Sequence, residues 1–159
     1  MEISSKSFRS VGSFTNTGPI PPKADVESTY TINWTLTNTT NDLKDTLVSA
    51  TLPVGVSWKG EVSPVSERIS YNPDTRVVSW NVGNVSSGVG FTYSPKSVSF
   101  KLGIIPSINQ IGTAPPLLSQ ATVTATDTYT ETPIGAVSSV ATTQYSDSSY
   151  KNGDDVVVK

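Results

Sequence analysis

The stretch Tyr30-Thr31-Ile32-Asn33-Trp34-Thr35-Leu36-Thr37 places a large apolar side chain at every second position and a small polar one between. A period of two fits a β-strand, where successive side chains point to opposite faces, and no helix can sort these residues onto one side. The strand therefore has one buried face, carrying Tyr30, Ile32, Trp34 and Leu36, and one polar face of Thr and Asn. Downstream, Val98, Phe100, Leu102 and Ile104 alternate with Ser97, Ser99, Lys101 and Gly103 in the same way, giving a second long half-buried strand.

The remaining elements are shorter. Residues 6–15 read as a first strand anchored by Phe8, Val11 and Phe14, with Gly12 marking a bulge. Thr17-Gly18-Pro19-Ile20-Pro21-Pro22 then forces an extended connection. Residues 45–52 read as a strand with Leu47, Val48 and Leu52 as candidate inward positions, ended by Pro53-Val54-Gly55. Val56-Ser57-Trp58 is a short strand, followed after Gly60 by a polar segment. Strands around residues 68–71 and at Val78, Trp80 and Val82 flank the turn signal Asn72-Pro73-Asp74-Thr75 and form a hairpin. Residues 84–90 read as a loop and residues 105–116 as a long connection across one end. Ala121, Val123 and Ala125 face inward from a strand that starts near Leu117 or Leu118. Ile134, Val137 and Val140 make a last edge strand. Residues 142–153 read as a loose linker ahead of a terminal Val run, which would pair with a following domain or with this domain's own edge.

Eight or nine short strands, with turns every 8–12 residues and no helical stretch, predict an all-β, Ig-like antiparallel β-sandwich with Greek-key connections. Residues 1–141 form that domain, and residues 142–159 are a linker or edge strand leading to a following domain. Composition agrees. Of 159 residues, 35% are hydrophobic and 15% charged, against roughly 45–50% (a count that includes Gly) and about 25% in ordinary soluble domains. Val and Thr, whose branched Cβ atoms suit a pleated sheet, are prominent.

Composition also removes chemistries. There are no Cys and no His, so thiol nucleophiles, thiolate metal sites and the commonest general base are absent. The net charge is −2 and the basic residues are dispersed, which points away from nucleic acid. No apolar run has the length of a membrane span, so membrane attachment would come only through other parts of the polypeptide. Residues 1–10 lack the apolar core of a signal peptide.

The pieces Tyr30 to Asn38, Ala50-Thr51-Leu52-Pro53-Val54-Gly55-Val56, Tyr71-Asn72-Pro73-Asp74-Thr75, Trp80-Asn81-Val82-Gly83 and Gly88 together resemble the DUF11-type conserved repeat domains of bacterial and archaeal surface proteins. The resemblance covers roughly residues 25–127 and rests on structural signatures. It implies an Ig-like sandwich repeated along an exported, extracellular cell-surface protein, acting as a stalk or spacer. The partners it implies are the adjacent domains of the same polypeptide and, in the alternative of an adhesive module, a surface protein or glycan held by end loops. Two features depart from the family pattern: the polar insert between Ser57 and Arg68, and the extra length after Asp127.

Candidate sites follow from the residues. Trp34 and Trp80 lie on apolar parities and belong to the core. Trp58, beside Gly60, is the tryptophan most open to a ligand, together with the loop from Glu61 to Ser66. Acidic residues flank loops (Glu61 and Glu67, Asp42 and Asp45) without the fixed separation a glycosidase needs. Ca²⁺ is a possible ligand of Asn41-Asp42 with Asp45, or of Asp147 with Asn152-Gly153-Asp154-Asp155, although neither follows an EF-hand pattern. A Lys–Asn isopeptide bond is disfavoured because Lys101 and Asn33 share the outward parity. The N-x-S/T patterns at Asn33, Asn38 and Asn84 are of the frequency that a Thr-rich chain yields by chance. No catalytic residue, cofactor site or metal ligand is assigned, and the function read from the sequence is non-enzymatic.

Overall fold

The computed structural model describes residues 1–159. Its strands are β1 Glu2–Phe8, β2 Ser28–Thr37, β3 Leu43–Thr51, β4 Val56–Ser63, β5 Arg68–Asn72, β6 Val77–Val85, β7 Lys96–Ile104, β8 Pro116–Leu118, β9 Thr122–Asp127, β10 Pro133–Val137 and β11 Ala141–Thr142. One 3₁₀ turn, Ile108–Gln110, interrupts the connection after β7. Nine strands build two facing sheets, in the orders β1-β2-β7-β4 and β10-β9-β3-β6-β5, and β11 and β8 form a small third sheet. All named pairings are antiparallel. The chain crosses between sheets from β2 to β3, back from β3 to β4, and again from β4 to β5 and from β6 to β7. The architecture is the all-β antiparallel sandwich the alternation predicts.

The core lies between the two sheets, and the two long strands line one side of it as neighbours. Tyr30, Ile32, Trp34 and Leu36 on β2, and Val98, Phe100, Leu102 and Ile104 on β7, are all buried. Ile32 sits opposite Phe100, and Trp34 opposite Val98, in the ladder. The Trp34 and Phe100 rings meet edge to face with centroids 4.9 Å apart, a favoured arrangement because a ring's positive edge meets its neighbour's negative face. Val48, Ala50, Leu52, Val78, Trp80, Ala121, Val123 and Ala125 complete the core from the opposite side.

Several expectations are corrected. The first strand is Glu2–Phe8, not residues 6–15, because its inward residues are Ile3, Ser5 and Ser7. Two of these are too small and polar to show as an apolar alternation. Val11 lies outside, 54% exposed. Leu47 is also outside, because bulges between Leu43 and Leu47 and the left-handed Asp45 (φ 55°) shift the parity so that Val48 turns inward. Strand β4 runs on past Gly60 to Ser63, with the extra residues taken up in a bulge between Trp58 and Val62. β6 continues through Asn84 to Val85, shortening the loop that follows. In the last edge strand, Ile134 and Ala136 pack on the core while Val137 and Val140 are exposed. The polar face of β2 is partly covered: Thr29 and Thr31 are buried beneath residues 9–18.

Residues 142–153, read as a loose linker, are instead folded against the sandwich, as is the segment that follows them. Thr143, Tyr145, Asp147, Asp155 and Val157 are buried. The Val run pairs with this domain itself. Val157 exchanges backbone hydrogen bonds with Gly112 and Thr113, and Val158 with Pro22 and Ala24.

The register also fixes which loops share an end. Glu2 pairs with Thr37 and Leu36 with Lys96, so β1 begins at the end formed by residues 38–42, 86–95 and 128–132. Val157 and Val158 are held at the opposite end, beside Pro22 and Thr113. The start of the first strand and the last backbone pairs thus lie a sandwich length apart, about 30 Å for the ten residues of β2.

Candidate functional site

Trp58 is half-buried at the open edge where β4 of one sheet meets β5 of the other. Its ring stacks on Tyr71, with centroids 5.8 Å apart and planes at 18°, and also lies 5.3 Å from Phe100. Val62 and Ile69 pack against the same core. Trp58 therefore plugs the gap between the two sheet edges, with aromatic neighbours from both. Glu61 points elsewhere, to the Lys101 ammonium at 3.0 Å on the outer face, and Ser66 is exposed in the β4–β5 turn. These three residues do not converge. Glu67, just after this segment, reaches a core tryptophan: its carboxylate accepts the Trp80 indole N–H at 2.7 Å. A buried indole needs such an acceptor, so the signal in the sequence is Trp80 itself.

Glu27 and Glu131 pair with Lys59 and Lys44, and several of the aspartates serve as hydrogen-bond acceptors. Asp42 accepts from the Ser87 amide. Asp127 accepts from Asn41, Tyr129 and Thr130, and the Thr130 amide leads the contacts that hold it below the ordinary carboxylate range. Asp154, held below that range chiefly by the Tyr145 hydroxyl, also accepts from the Lys151 amide. Lowered values mark permanent acceptors, the reverse of what a general acid requires. The segments considered for Ca²⁺ gather no group of three acidic ligands. Lys101 pairs with Glu61, and the Asn33 amide donates to Ser99 Oγ at 3.0 Å, both on the outer face.

The densest polar arrangement is a clasp at the end opposite the start of β1. Arg9 is 7% exposed although it is charged. Its guanidinium donates to the carbonyls of Thr17 (2.6 Å), Gly18 (2.5 Å) and Thr29, and lies 5.4 Å from the centre of the Tyr30 ring. Gly18 fits only as glycine. Its φ is +94°, and a Cβ there would stand 2.2 Å from the Glu27 carbonyl oxygen. The backbone amides of Arg9 and Ser10 donate to the Asp147 carboxylate, 138 and 137 residues along the chain. Ser7 Oγ donates to the Thr142 carbonyl at 2.7 Å, and the Ser146 amide to the Ser7 carbonyl. Tyr145 donates to Asp154 and Tyr150 to Asp155, and the two rings meet edge to face. The clasp ties the first strand, the β1–β2 loop and residues 142–158 into one unit. Sequence reading missed it because the contacts that close it, from Arg9 and Ser10 to Asp147 and from Ser7 to Thr142, join the two ends of the chain.

Burial pushes the phenols of the clasp up: Tyr30 to about 12, and Tyr145 to about 12 with help from Asp154. Unfolded tyrosine ionises near 10. Between these values the folded state keeps protons that the unfolded chain has released, so stability falls as pH rises from about 10 to about 12. The Tyr30 hydroxyl is buried without a hydrogen-bond partner. Tyr30→Phe removes that unsatisfied group and keeps the ring under Arg9. We expect it to raise stability at pH 7 by up to about 1 kcal/mol and to flatten part of the alkaline loss. Urea denaturation across pH 7–12 checks both, and a destabilised Tyr30→Phe variant would contradict the assignment.

No family model and no curated protein matches the sequence. Among solved structures, the chain is similar to the major pilin subunit of Bacillus cereus (14% identity, TM-score 0.49), covering 88% of this chain and 39% of that one. It is similar to the full-length major pilin of Corynebacterium diphtheriae (12%, TM-score 0.49), covering 90% and 34%. It is also similar to an exo-β-N-acetylglucosaminidase of Vibrio harveyi (9%, TM-score 0.42), covering 96% and 20%. The chain spans about two-fifths of the length of the first of these and less of the others. Likeness at this level carries no argument about activity, and the sandwich rests on the strand pairings above.

Proposed function

We propose that this chain is a non-enzymatic structural module, a spacer in an exported protein of the bacterial cell surface. The observation that supports this most is where the backbone is anchored. β1 starts at one end of the sandwich, and the last backbone pairs are made at the other. A pull along the module runs parallel to β1 and β2, whose seven register pairs, Glu2–Thr37 to Phe8–Thr31, share the load in shear. Hydrogen bonds perpendicular to the strands resist sliding together, whereas peeling opens them one at a time. The clasp and the Val157–Val158 pairs extend that load path to the far end.

The resemblance to conserved repeat domains supports the same reading, with neighbouring domains of one polypeptide as partners. Buried tryptophans and carboxylates held as acceptors suit a load-bearing part better than a catalyst. The exported location is tested by protease shaving of intact cells that express the native protein. Fragments containing this module are expected in the supernatant without lysis. Release only after lysis would overturn the surface assignment.

A further inference from the structure

We infer that the loops at the end where β1 begins form a saccharide-binding site, with Tyr93 as its stacking surface. The three exposed aromatic side chains, Phe91 (88%), Tyr93 (62%) and Tyr129 (85%), all lie in the loops of this one end. Exposed aromatic area confined to one place marks an interaction surface.

Beside Tyr93 is a shallow recess of about 400 Å³ lined by Asn84, Ser86, Val89, Tyr93, Ser94 and Lys96. Asn84 and Ser86 also wall a second recess of about 370 Å³, which reaches Asp42, Lys44 and Thr128. Two recesses sharing one wall suit a chain of linked sugar units better than a single small molecule.

The chemistry of the first recess is specific. An amide and two hydroxyls offer both donors and acceptors, as sugar hydroxyls require. An aromatic ring at the rim matches the C–H face of a pyranose. Lys96 has no carboxylate partner, unlike Lys44, Lys59 and Lys101. Its ammonium favours a sugar that carries a carboxylate.

The loop is also held ready. Phe91, Thr92 and Tyr93 all donate their amides to the Gly88 carbonyl, the Gly90 amide donates to the Tyr93 carbonyl, and Asn38 bonds the Val89 carbonyl at 2.7 Å. A loop already ordered loses little freedom on binding. The site goes beyond the spacer reading, and either can fail without the other.

The test is retention of the whole chain on a printed panel of neutral and carboxylate-bearing oligosaccharides, followed by titration with the retained sugars. Carboxylate-bearing sugars are expected to bind. Tyr93→Ala is expected to weaken binding at least about tenfold, Tyr93→Phe to preserve it, and Lys96→Gln to remove the preference for acidic over neutral sugars. Thermal melts confirm that each variant folds, since the loop's own hydrogen bonds are made by backbone. A folded wild-type chain that retains no sugar, or a Tyr93→Ala variant that binds as wild type does, would overturn the site. So would capture of a protein through Tyr93 with no sugar retained. Wild-type sugar preference in Lys96→Gln would overturn the role of Lys96.

Discussion

Trp34→Ala is expected to cost about 4 kcal/mol of folding stability, in the range of buried Trp-to-Ala replacements. Trp34 is fully buried, its ring meets Phe100 edge to face, and its indole N–H donates to Ser5 Oγ at 3.1 Å. Truncation leaves a large void between the two sheets and takes from Ser5, 5% exposed, the donor its hydroxyl accepts. For a domain of this size the melting temperature should drop by roughly 10 °C or more. Trp34→Phe keeps most of the packing and loses only the hydrogen bond and some volume, so its cost should be about 1–2 kcal/mol. Chemical denaturation of the two variants beside the wild type checks the order. Equal effects would mean that the indole N–H bond, and not the packing, carries the loss.

Arg9→Ala should cost about 3 kcal/mol, because charged donors to buried acceptors are the stronger kind of hydrogen bond. Three carbonyls each lose a charged donor together: those of Thr17, Gly18 and Thr29, of which Thr17 keeps the Thr29 amide. Lysine cannot rescue the site, since one ammonium does not span the positions that two guanidinium nitrogens occupy. The damage should also be local in a way that a general loss of stability is not. Hydrogen exchange should quicken first in residues 9–27 and in the segment held by Asp147, and last in β2 and β7. Uniform quickening across the sandwich would contradict the clasp as a unit.

What the sequence reveals follows from how each element is stabilised. β2 and β7 are legible because large apolar side chains alternate with small polar ones, and their partners are each other. Trp34 and Trp80 are placed inside by the same parity. β1 is hidden because its inward side chains include Ser5 and Ser7, whose partners are the Trp34 indole and the backbone at Thr142 and Gln144. Leu47 misleads because the bulge before it turns the parity by one residue, a backbone event with no apolar signature. Residues 142–153 read as a loose linker because Tyr145 and Asp147 are amphipathic or polar, and only the folded chain brings Arg9 and Ser10 to Asp147. The candidate site divides in the same way. Trp58 is recognisable as a tryptophan on a short strand, but its role as a plug depends on Tyr71 and Phe100, which the sandwich supplies.

The central claim is mechanical, and single-molecule pulling tests it most directly. Handles attached through Glu2→Cys and Lys159→Cys load β1 against β2 along their length. Handles through Glu2→Cys and Thr37→Cys pull apart the two members of one register pair and peel the strands open. A spacer built as described should rupture at a several-fold higher force in the first geometry than in the second. Equal forces, or a weaker response along the length of the sandwich, would contradict it.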